Sequence, residues 1–216
     1  MAKYKYLFFD LDGTLTDSAE GIINSIVYAL EKFGIKVEDR EPLRVFLGPP
    51  LVDAFMKFYG FTEENAHKAV EYYRERFRNI GIFENRVYDG IPELLGTLKK
   101  LDYKLIVATS KPEAFATRIA DHFDLTKYFD LIAGATFDGK ISTKSEVIAY
   151  ALESFGVKDK NEVVMIGDRH HDTEGAAKMG IDSIGVLYGY GDREELESTG
   201  ATYIAETVGD ILKILK

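Results

Sequence analysis

Aspartates follow two separate apolar runs of this sequence, at points where buried strands are expected to end. Asp10 and Asp12 come directly after "YKYLFF", and Asp168 comes directly after "VVMIG", with Asp172 four residues further on. Carboxylates that lie close together repel each other unless a hard cation lies among them, and Mg²⁺ prefers oxygen ligands. If the fold brings these strand ends together, the four aspartates therefore predict a magnesium site.

Hydroxyl groups and a lysine occupy similar places in the sequence. Thr109 and Ser110 end the apolar run "KLIVA", and Lys144 stands near the start of the predicted helix "ISTKSEVI". Hydroxyl groups, backbone N–H groups and an ammonium group around an anion are what a phosphoryl group requires during transfer. Together with the aspartates, these residues predict magnesium-assisted phosphoryl transfer.

Short apolar strands alternate with helices through most of the chain, and this alternation predicts the fold. It runs from residue 86 to residue 216, and the strand at residues 4 to 10 must belong to the same sheet, since a lone strand is not stable. Residues 17–85 show only helical periodicity. We therefore expect an α/β fold with a parallel sheet flanked by helices, formed by residues 1–16 and 86–216, with a helical domain inserted at 17–85. Ligands of such sheets bind outside the carboxyl ends of the strands.

The composition limits the classes of function. Among 216 residues, 27 Lys plus Arg stand against 36 Asp plus Glu, which gives a net charge of -9. This balance argues against a nucleic-acid polymer or an anionic membrane as partner, because both require basic patches. The chain has no cysteine and no transmembrane-length apolar stretch, and its first apolar run is too short for a signal peptide. We therefore expect a cytoplasmic protein, and the charge balance does not exclude a small anionic substrate.

The order and spacing of the motifs resemble those of the haloacid dehalogenase superfamily. The first motif of that family, DxDGT, corresponds to residues 10–14, and the fourth, GDxxxD, corresponds to residues 167–172. The second, a Ser or Thr that ends a hydrophobic strand, corresponds to Thr109, and the third, a lysine, corresponds to Lys144. The resemblance implies a Rossmann-like core with a type C1 cap domain inserted at 17–85. The stretches "DGTLTDS", "VATSKP" and "GVLYGYG" are most similar to the phosphoglycolate phosphatase-like branch, which includes 5′-nucleotidases.

That resemblance assigns roles to the aspartates. Asp10 would be the nucleophile that forms an aspartyl-phosphate, and Asp12 would protonate the leaving oxygen and then activate water. Mg²⁺ would be held by the Asp10 carboxylate, the main-chain carbonyl of Asp12, and Asp168, with Asp172 as a further or water-bridged partner. A phosphate ester has a poor leaving group and requires an acid, so the presence of Asp12 favours phosphate chemistry over dehalogenation.

The same resemblance assigns the phosphate to the Thr109 hydroxyl, the Ser110 amide and Lys144. Lys140 lies four residues before Lys144 and is the alternative lysine. We expect Gly13 to let the chain turn sharply beneath the phosphate, where a Cβ would intrude.

Two further groups of residues have both a structural and a functional interpretation. Gly48, Pro49 and Pro50 in "FLGPPL" mark either a helix boundary, with proline in the first turn, or a loop of the inserted domain that faces the substrate. His170 and His171 are interpreted as solvated residues at a helix start, because no cysteine and no suitably spaced histidine accompanies them.

Three classes of function remain. The leading hypothesis is a Mg²⁺-dependent phosphatase for a small phosphomonoester, with phosphoglycolate slightly ahead of a mononucleotide. A phosphosugar mutase is disfavoured, because related mutases carry an arginine just after the glycine of the cap loop, where this chain has Pro49, Pro50 and Leu51. A phosphoacceptor switch of the response-regulator type is disfavoured, because such receivers are much shorter and carry the acceptor aspartate on an internal strand. The sequence leaves the oligomeric state open.

Overall fold

The computed structural model describes residues 3–216, which contain a six-stranded parallel sheet flanked by helices. The strands are β1 (Tyr6–Phe9), β2 (Thr16–Asp17), β3 (Arg86–Val87), β4 (Lys104–Pro112), β5 (Leu131–Ala135), β6 (Val163–Gly167), β7 (Asp182–Val186) and β8 (Tyr203–Ala205). The sheet has the order β5-β4-β1-β6-β7-β8, and β2 pairs separately with β3. The expected α/β fold with a parallel sheet is therefore confirmed.

Helices connect the strands. They are α1 (Ala19–Lys32), α2 (Leu51–Tyr59), α3 (Glu63–Phe77), α4 (Ile91–Lys100), α5 (Glu113–His122), α6 (Lys144–Ser154), α7 (His170–Met179), α8 (Arg193–Ser198) and α9 (Val208–Leu215). Short 3₁₀ helices lie at Glu41–Phe46, Gly81–Phe83, Thr126–Tyr128 and Lys160–Glu162. No helix in residues 3–216 combines the length and the apolar character needed to cross a membrane.

The chain divides into two compact units. The first unit contains the residues up to Asp17 together with Val87–Lys216, and the second unit is Ser18–Arg86. Each boundary lies one residue further along the chain than we expected from the change in periodicity.

The two strands that precede the aspartates lie next to each other inside the first unit. Phe9 of β1 is in parallel register with Ile166 of β6. Every residue of β6 is buried, as are Leu7, Phe8 and Phe9 of β1. Strands covered on both faces form continuous apolar runs instead of alternating ones. The chain therefore delivers the residues after β1 and β6 to the same edge of the sheet.

Helix α6 packs against the same strands. Val147 and Ile148 of α6 belong to a buried cluster that includes Phe8 of β1, Ile106 of β4 and Met165 of β6. Burying side chains of this size contributes about 1.5–3 kcal/mol each. The packing holds α6 against the centre of the sheet, so the residue that opens this helix has a fixed position.

The second unit has an aromatic core of its own. Phe46 and Phe55 are buried, with ring centroids 5.0 Å apart, and Phe77 is buried in α3. Arg76 and Glu84 form an ion pair with two N–O distances of 2.7 Å. Some of the aromatic residues that the sequence places in this helical segment thus build its interior, and others remain exposed.

Candidate active site

The loop after β1 presents Asp10 and then turns at once. The Asp10 backbone N–H donates to the Ile166 carbonyl of β6 at 2.9 Å, so this aspartate lies where both strands end. Gly13 has φ +82°, and its N–H donates to the Thr16 carbonyl at 2.7 Å. A Cβ at position 13 would lie 2.1 Å from Asp168 Oδ2. The group that excludes a side chain here is therefore a carboxylate, where we expected a phosphate.

The second acidic motif folds into the same place. Asp168 follows β6 directly, Asp172 lies in the first turn of α7, and both are buried. A Cβ at Gly167 would lie 2.1 Å from Asp172 Cγ, so only glycine lets the carboxylate approach the end of β6. Asp172 Oδ2 accepts the backbone N–H of Arg169 at 3.1 Å, which orients the carboxylate.

Lys144 places its ammonium group among these carboxylates. Its Nζ lies 2.8 Å from Asp10 Oδ1, 2.8 Å from Asp172 Oδ1 and 3.0 Å from the Ala108 carbonyl of β4. The ammonium group is therefore paired with two carboxylates, and it donates a hydrogen bond to the Ala108 carbonyl. Burial disfavours the charge of Lys144, but the two carboxylates outweigh burial and raise the pKa of this lysine. A phosphate would therefore have to share or replace one of these acceptors.

The start of α6 is built to hold Lys144. Thr143 is the N-cap, with its Oγ1 accepting the Glu146 N–H, and Glu146 Oε2 accepts the backbone N–H groups of Ser142 and Thr143 at 2.9 Å each. This capping box satisfies backbone donors that the helix itself leaves unpaired. A Cβ at Gly175 of α7 would lie 2.8 Å from Lys144 Cγ. The absence of a side chain at this position therefore leaves room for the Lys144 side chain.

Three carboxylates fit a divalent cation. Asp10, Asp168 and Asp172 each offer an oxygen, and these oxygens lie within 4.8 Å of one another. Burial and the charges of Asp172 and Asp10 raise the pKa of Asp168 well above its ordinary value. Burial also raises the pKa of Asp172 to about 6, although Lys144 opposes this. Carboxylates this close remain ionised together only beside additional positive charge, and their oxygens are the ligands that Mg²⁺ prefers.

Asp12 is placed differently from the other three aspartates. Its Oδ2 lies 2.9 Å from the ammonium group of Lys111, whose side chain is 6% exposed against 22% for Asp12. Asp12 Oδ1 is buried and has no hydrogen-bond partner within residues 3–216. One carboxylate oxygen is thus held by an ammonium group, while the other has an unused acceptor site.

The end of β4 supplies the hydroxyl groups. Thr109 is buried, and its Oγ1 accepts the backbone N–H of Lys111 at 3.2 Å. Because the oxygen acts as acceptor in this contact, the hydroxyl proton can be donated to an anion. The pairing of β4 with β5 shifts register between Thr109 and Pro112, which marks an irregular backbone around Ser110. Ser110 is only partly buried.

Gly48, Pro49 and Pro50 lie in the second unit. Gly48 has φ +111°, and Pro50 is the residue directly before α2. These positions agree with a helix boundary, one of the two interpretations of "FLGPPL".

We expected the two histidines at the start of α7 to be solvated. They are instead partly buried. His170 Nδ1 lies 2.6 Å from Glu195 Oε1, which also accepts Arg169 Nε–H at 2.8 Å. Burial lowers the pKa of His171 to about 4. Neither histidine belongs to the group of metal-ligating atoms found in residues 3–216.

Sequence reasoning missed two contacts of this site. The first is the ion pair between Lys111 and Asp12, although "TSKP" places that lysine directly after Thr109 and Ser110. The second is the hydrogen bond from the Tyr190 backbone N–H to Asp168 Oδ2 at 2.8 Å. The alternating glycines of "GVLYGYG" were the signal for this close approach.

Comparisons with known proteins agree with this geometry. The family model described as haloacid dehalogenase-like hydrolase matches residues 7–186. A solved structure from Clostridium acetobutylicum, described as a predicted phosphatase, has a TM-score of 0.94 and 53% identity, covering 98% of this chain and 97% of that one. A 5′-nucleotidase of Pseudomonas aeruginosa is 45% identical, covering 99% of this chain and 96% of the relative. The tyrosine-protein kinase PtkA of Mycobacterium tuberculosis is 38% identical, covering 97% of this chain and 72% of the relative.

This chain belongs to the haloacid dehalogenase-like hydrolases. Within that family it is an enzyme of the phosphatase class, which relatives named phosphatase, 5′-nucleotidase and pyrophosphatase support.

Proposed function

We propose that this protein is a Mg²⁺-dependent phosphomonoesterase that works through an aspartyl-phosphate on Asp10. The main observation that supports the proposal is that Asp10, Asp168, Asp172 and Lys144 lie close together where β1 and β6 end. A nucleophilic carboxylate, a cation site and an ammonium group are together what phosphoryl transfer requires.

The reaction has two displacement steps. In the first, an Asp10 oxygen forms a bond to phosphorus while the bond to the leaving oxygen breaks, and protonated Asp12 gives its proton to that oxygen. In the second, Asp12 takes a proton from water while the water oxygen bonds to phosphorus and the Asp10–phosphorus bond breaks. Inorganic phosphate leaves, and Asp10 and Asp12 return to their starting states. The unused acceptor site on Asp12 Oδ1 favours this proton-transfer role.

The remaining residues hold the reacting group in place. Asp10 and Asp168 would hold Mg²⁺ directly, together with the main-chain carbonyl of Asp12, and Asp172 would support it as a further or water-bridged partner. The ion would neutralise charge on the phosphoryl oxygens. Thr109 would donate its hydroxyl proton and Ser110 its backbone N–H to the phosphoryl group. Lys144, which in the resting site holds Asp10, would add positive charge.

The substrate class follows from the relatives more than from the site. The relative at 45% identity is named a 5′-nucleotidase. We therefore propose a nucleoside 5′-monophosphate ahead of phosphoglycolate, which reverses the order expected from the motifs alone. The net charge of -9 favours a small soluble ester over a nucleic-acid polymer or a membrane surface, and we place the reaction in the cytoplasm. The second unit, Ser18–Arg86, would act as the cap domain that selects the leaving group, with Gly48–Pro50 as its substrate-facing loop.

A substrate panel tests the proposal. Phosphate release should be measured as kcat/KM for AMP, UMP, phosphoglycolate, pyrophosphate, p-nitrophenyl phosphate and a phosphotyrosine peptide, each with Mg²⁺ and with EDTA. We expect Mg²⁺-dependent hydrolysis of the small esters, with a nucleotide as the best substrate and p-nitrophenyl phosphate as a poor one. Full activity in EDTA, or a clear preference for the phosphopeptide, would contradict the proposal.

A further inference from the structure

A short segment after β7 encloses Asp168, and the reaction described above does not use it. It consists of Tyr188, Gly189, Tyr190 and Gly191, which we call the tyrosine–glycine loop. All four residues are partly buried and belong to the first unit.

The backbone of this loop lies directly against the Asp168 side chain. The Tyr190 N–H donates to Asp168 Oδ2 at 2.8 Å. A Cβ at Gly189 would lie 2.3 Å from Asp168 Cβ and 2.3 Å from the Gly13 carbonyl. A Cβ at Gly191 would lie 2.1 Å from the Asp168 carbonyl. Glycine is therefore required on both sides of Tyr190 for the loop to reach the carboxylate.

The two tyrosines fasten the loop to the segment that follows β1. Tyr188 Oη donates to the Thr14 carbonyl at 3.1 Å, and Tyr190 Oη donates to Asp17 Oδ1 at 3.2 Å. Thr14 in turn donates its hydroxyl to Asp168 Oδ1 at 3.1 Å. The residue that Tyr188 anchors thus contacts the same aspartate as the loop backbone.

Tyr188 is suited to a permanent role as hydrogen-bond donor. Burial raises its pKa, so the hydroxyl stays protonated at physiological pH. Its ring packs edge-on against Tyr88, with ring centroids 5.1 Å apart, which fixes the position of the hydroxyl.

Both oxygens of Asp168 are thereby occupied by one fixed donor each. A carboxylate has about four acceptor sites, so each oxygen retains one for another partner. Asp168 also lies with Asp10 and Asp172 in the group of carboxylate oxygens within 4.8 Å of one another. The two donors restrict rotation of the carboxylate and so select which of its acceptor sites face that group.

We propose that the tyrosine–glycine loop is a positioning element that orients the Asp168 carboxylate for binding a divalent cation. The proposal rests on the proposed function, because it presupposes the cation site. Groups that hydrogen-bond to metal ligands commonly change metal affinity about 10- to 100-fold when they are lost.

Direct measurement of Mn²⁺ binding tests the proposal without relying on turnover. The full-length protein is freed of metal, and the Mn²⁺ dissociation constant is measured by electron paramagnetic resonance for the wild type and variants. We expect the constant to rise about 10-fold in Tyr188→Phe and up to about 100-fold in Gly189→Ala. In Mg²⁺ titrations, the Mg²⁺ concentration for half-maximal activity should rise in parallel, while the substrate KM at saturating Mg²⁺ stays unchanged.

A glycine elsewhere in the same unit supplies the control. A Cβ at Gly185 of β7 would lie 2.9 Å from Leu196 Cδ1 and would crowd the core instead of Asp168. Gly185→Ala should therefore lower the melting temperature and leave the Mn²⁺ dissociation constant unchanged. If Gly189→Ala does not fold, Tyr188→Phe decides the question.

The possible outcomes separate the two proposals. Wild-type Mn²⁺ affinity in a folded Gly189→Ala protein, or in Tyr188→Phe when the first variant is unfolded, would overturn the positioning role and leave the proposed function intact. Equal loss of affinity in Gly185→Ala would also overturn it, because the effect would then be general destabilisation. A wild-type protein that binds no Mn²⁺ would overturn the cation site and the positioning role together.

Discussion

At the scale of single residues, Lys144 distinguishes the site from a set of surface charges. Its ammonium group forms ion pairs with Asp10 and Asp172 and donates to the Ala108 carbonyl, and its side chain is 4% exposed. Lys140, the alternative lysine, pairs with Asp138 at 2.9 Å, and its side chain is 83% exposed. An exposed pair of that kind contributes little to stability because solvent screens it, whereas a broken buried pair leaves an uncompensated charge.

Replacing Lys144 with methionine should therefore abolish most activity. We expect kcat/KM to fall by about 100-fold or more, because the variant loses charge stabilisation at the reacting group. We also expect the free energy of unfolding to fall by about 3 kcal/mol, because Asp10 and Asp172 lose their common partner. Lys140→Met is the control and should leave both quantities near wild type. Equal behaviour of the two variants in steady-state kinetics and urea unfolding would contradict the assignment of Lys144.

The second prediction concerns the Thr109 hydroxyl as a hydrogen-bond donor to the phosphoryl group. Its Oγ1 accepts the Lys111 N–H, so its proton can go to the phosphoryl group. Thr109→Val keeps the shape but removes the hydroxyl, and kcat/KM should fall by about 10- to 100-fold, the cost of roughly 1.5–3 kcal/mol for a hydrogen bond to a charged group. Thr109→Ser retains the donor and should keep most of the activity. A valine variant as active as the serine variant would rule out this role.

At the scale of elements, the capping box at the start of α6 connects folding to the site. Thr143→Ala removes the N-cap side chain directly before Lys144, and we expect it to lower the free energy of unfolding by about 1 kcal/mol and to lower kcat as well. Thr62→Ala is a matched control, because Thr62 caps α3 in the second unit by accepting the Asn65 N–H. The control should lose similar stability in urea titrations with kcat unchanged. If kcat stays at the wild-type value in Thr143→Ala too, the cap supports stability alone.

The sequence allowed most of these elements to be predicted, and physical reasons explain the rest. The strands β1 and β6 are continuous apolar runs because they are buried on both faces, and their positions also placed Asp10 and Asp168 at one edge. The contacts of Lys111 and of the tyrosine–glycine loop were not predicted. The Lys111 contact depends on the irregular end of β4, which produces no periodic pattern. The alternating glycines of "GVLYGYG" indicated that the backbone approaches another group closely, but not that this group is Asp168.

At the scale of the whole molecule, the buried carboxylates link stability to pH and to metal. Asp168 and Asp172 have pKa values raised above those of unfolded aspartates, in the case of Asp172 to about 6. Between about pH 4 and 6 these two carboxyl groups therefore bind more protons in the metal-free folded protein than in the unfolded chain. The contribution of these groups to stability is present below pH 4 and is lost as the pH rises through the folded pKa.

Divalent cations should reverse this loss, because they bind the ionised carboxylates. We expect excess Mg²⁺ to raise the melting temperature more at about pH 7.5 than at about pH 5, measured by differential scanning calorimetry on metal-free protein. Asp168→Asn has one carboxylate fewer, so Mg²⁺ should raise its melting temperature much less at either pH. A gain from Mg²⁺ that does not depend on pH would show that these carboxylates are not the binding site.

The proposed mechanism requires that Asp10 accepts the phosphoryl group. Rapid acid quenching of the protein during turnover of its best substrate, followed by peptide mass spectrometry, measures this directly. We predict a phosphorylated peptide with the modification on Asp10, and its absence in a folded Asp10→Asn variant whose turnover is reduced by about three orders of magnitude. Phosphate on another residue, or an Asp10→Asn protein that keeps about a tenth of wild-type turnover, would contradict the mechanism.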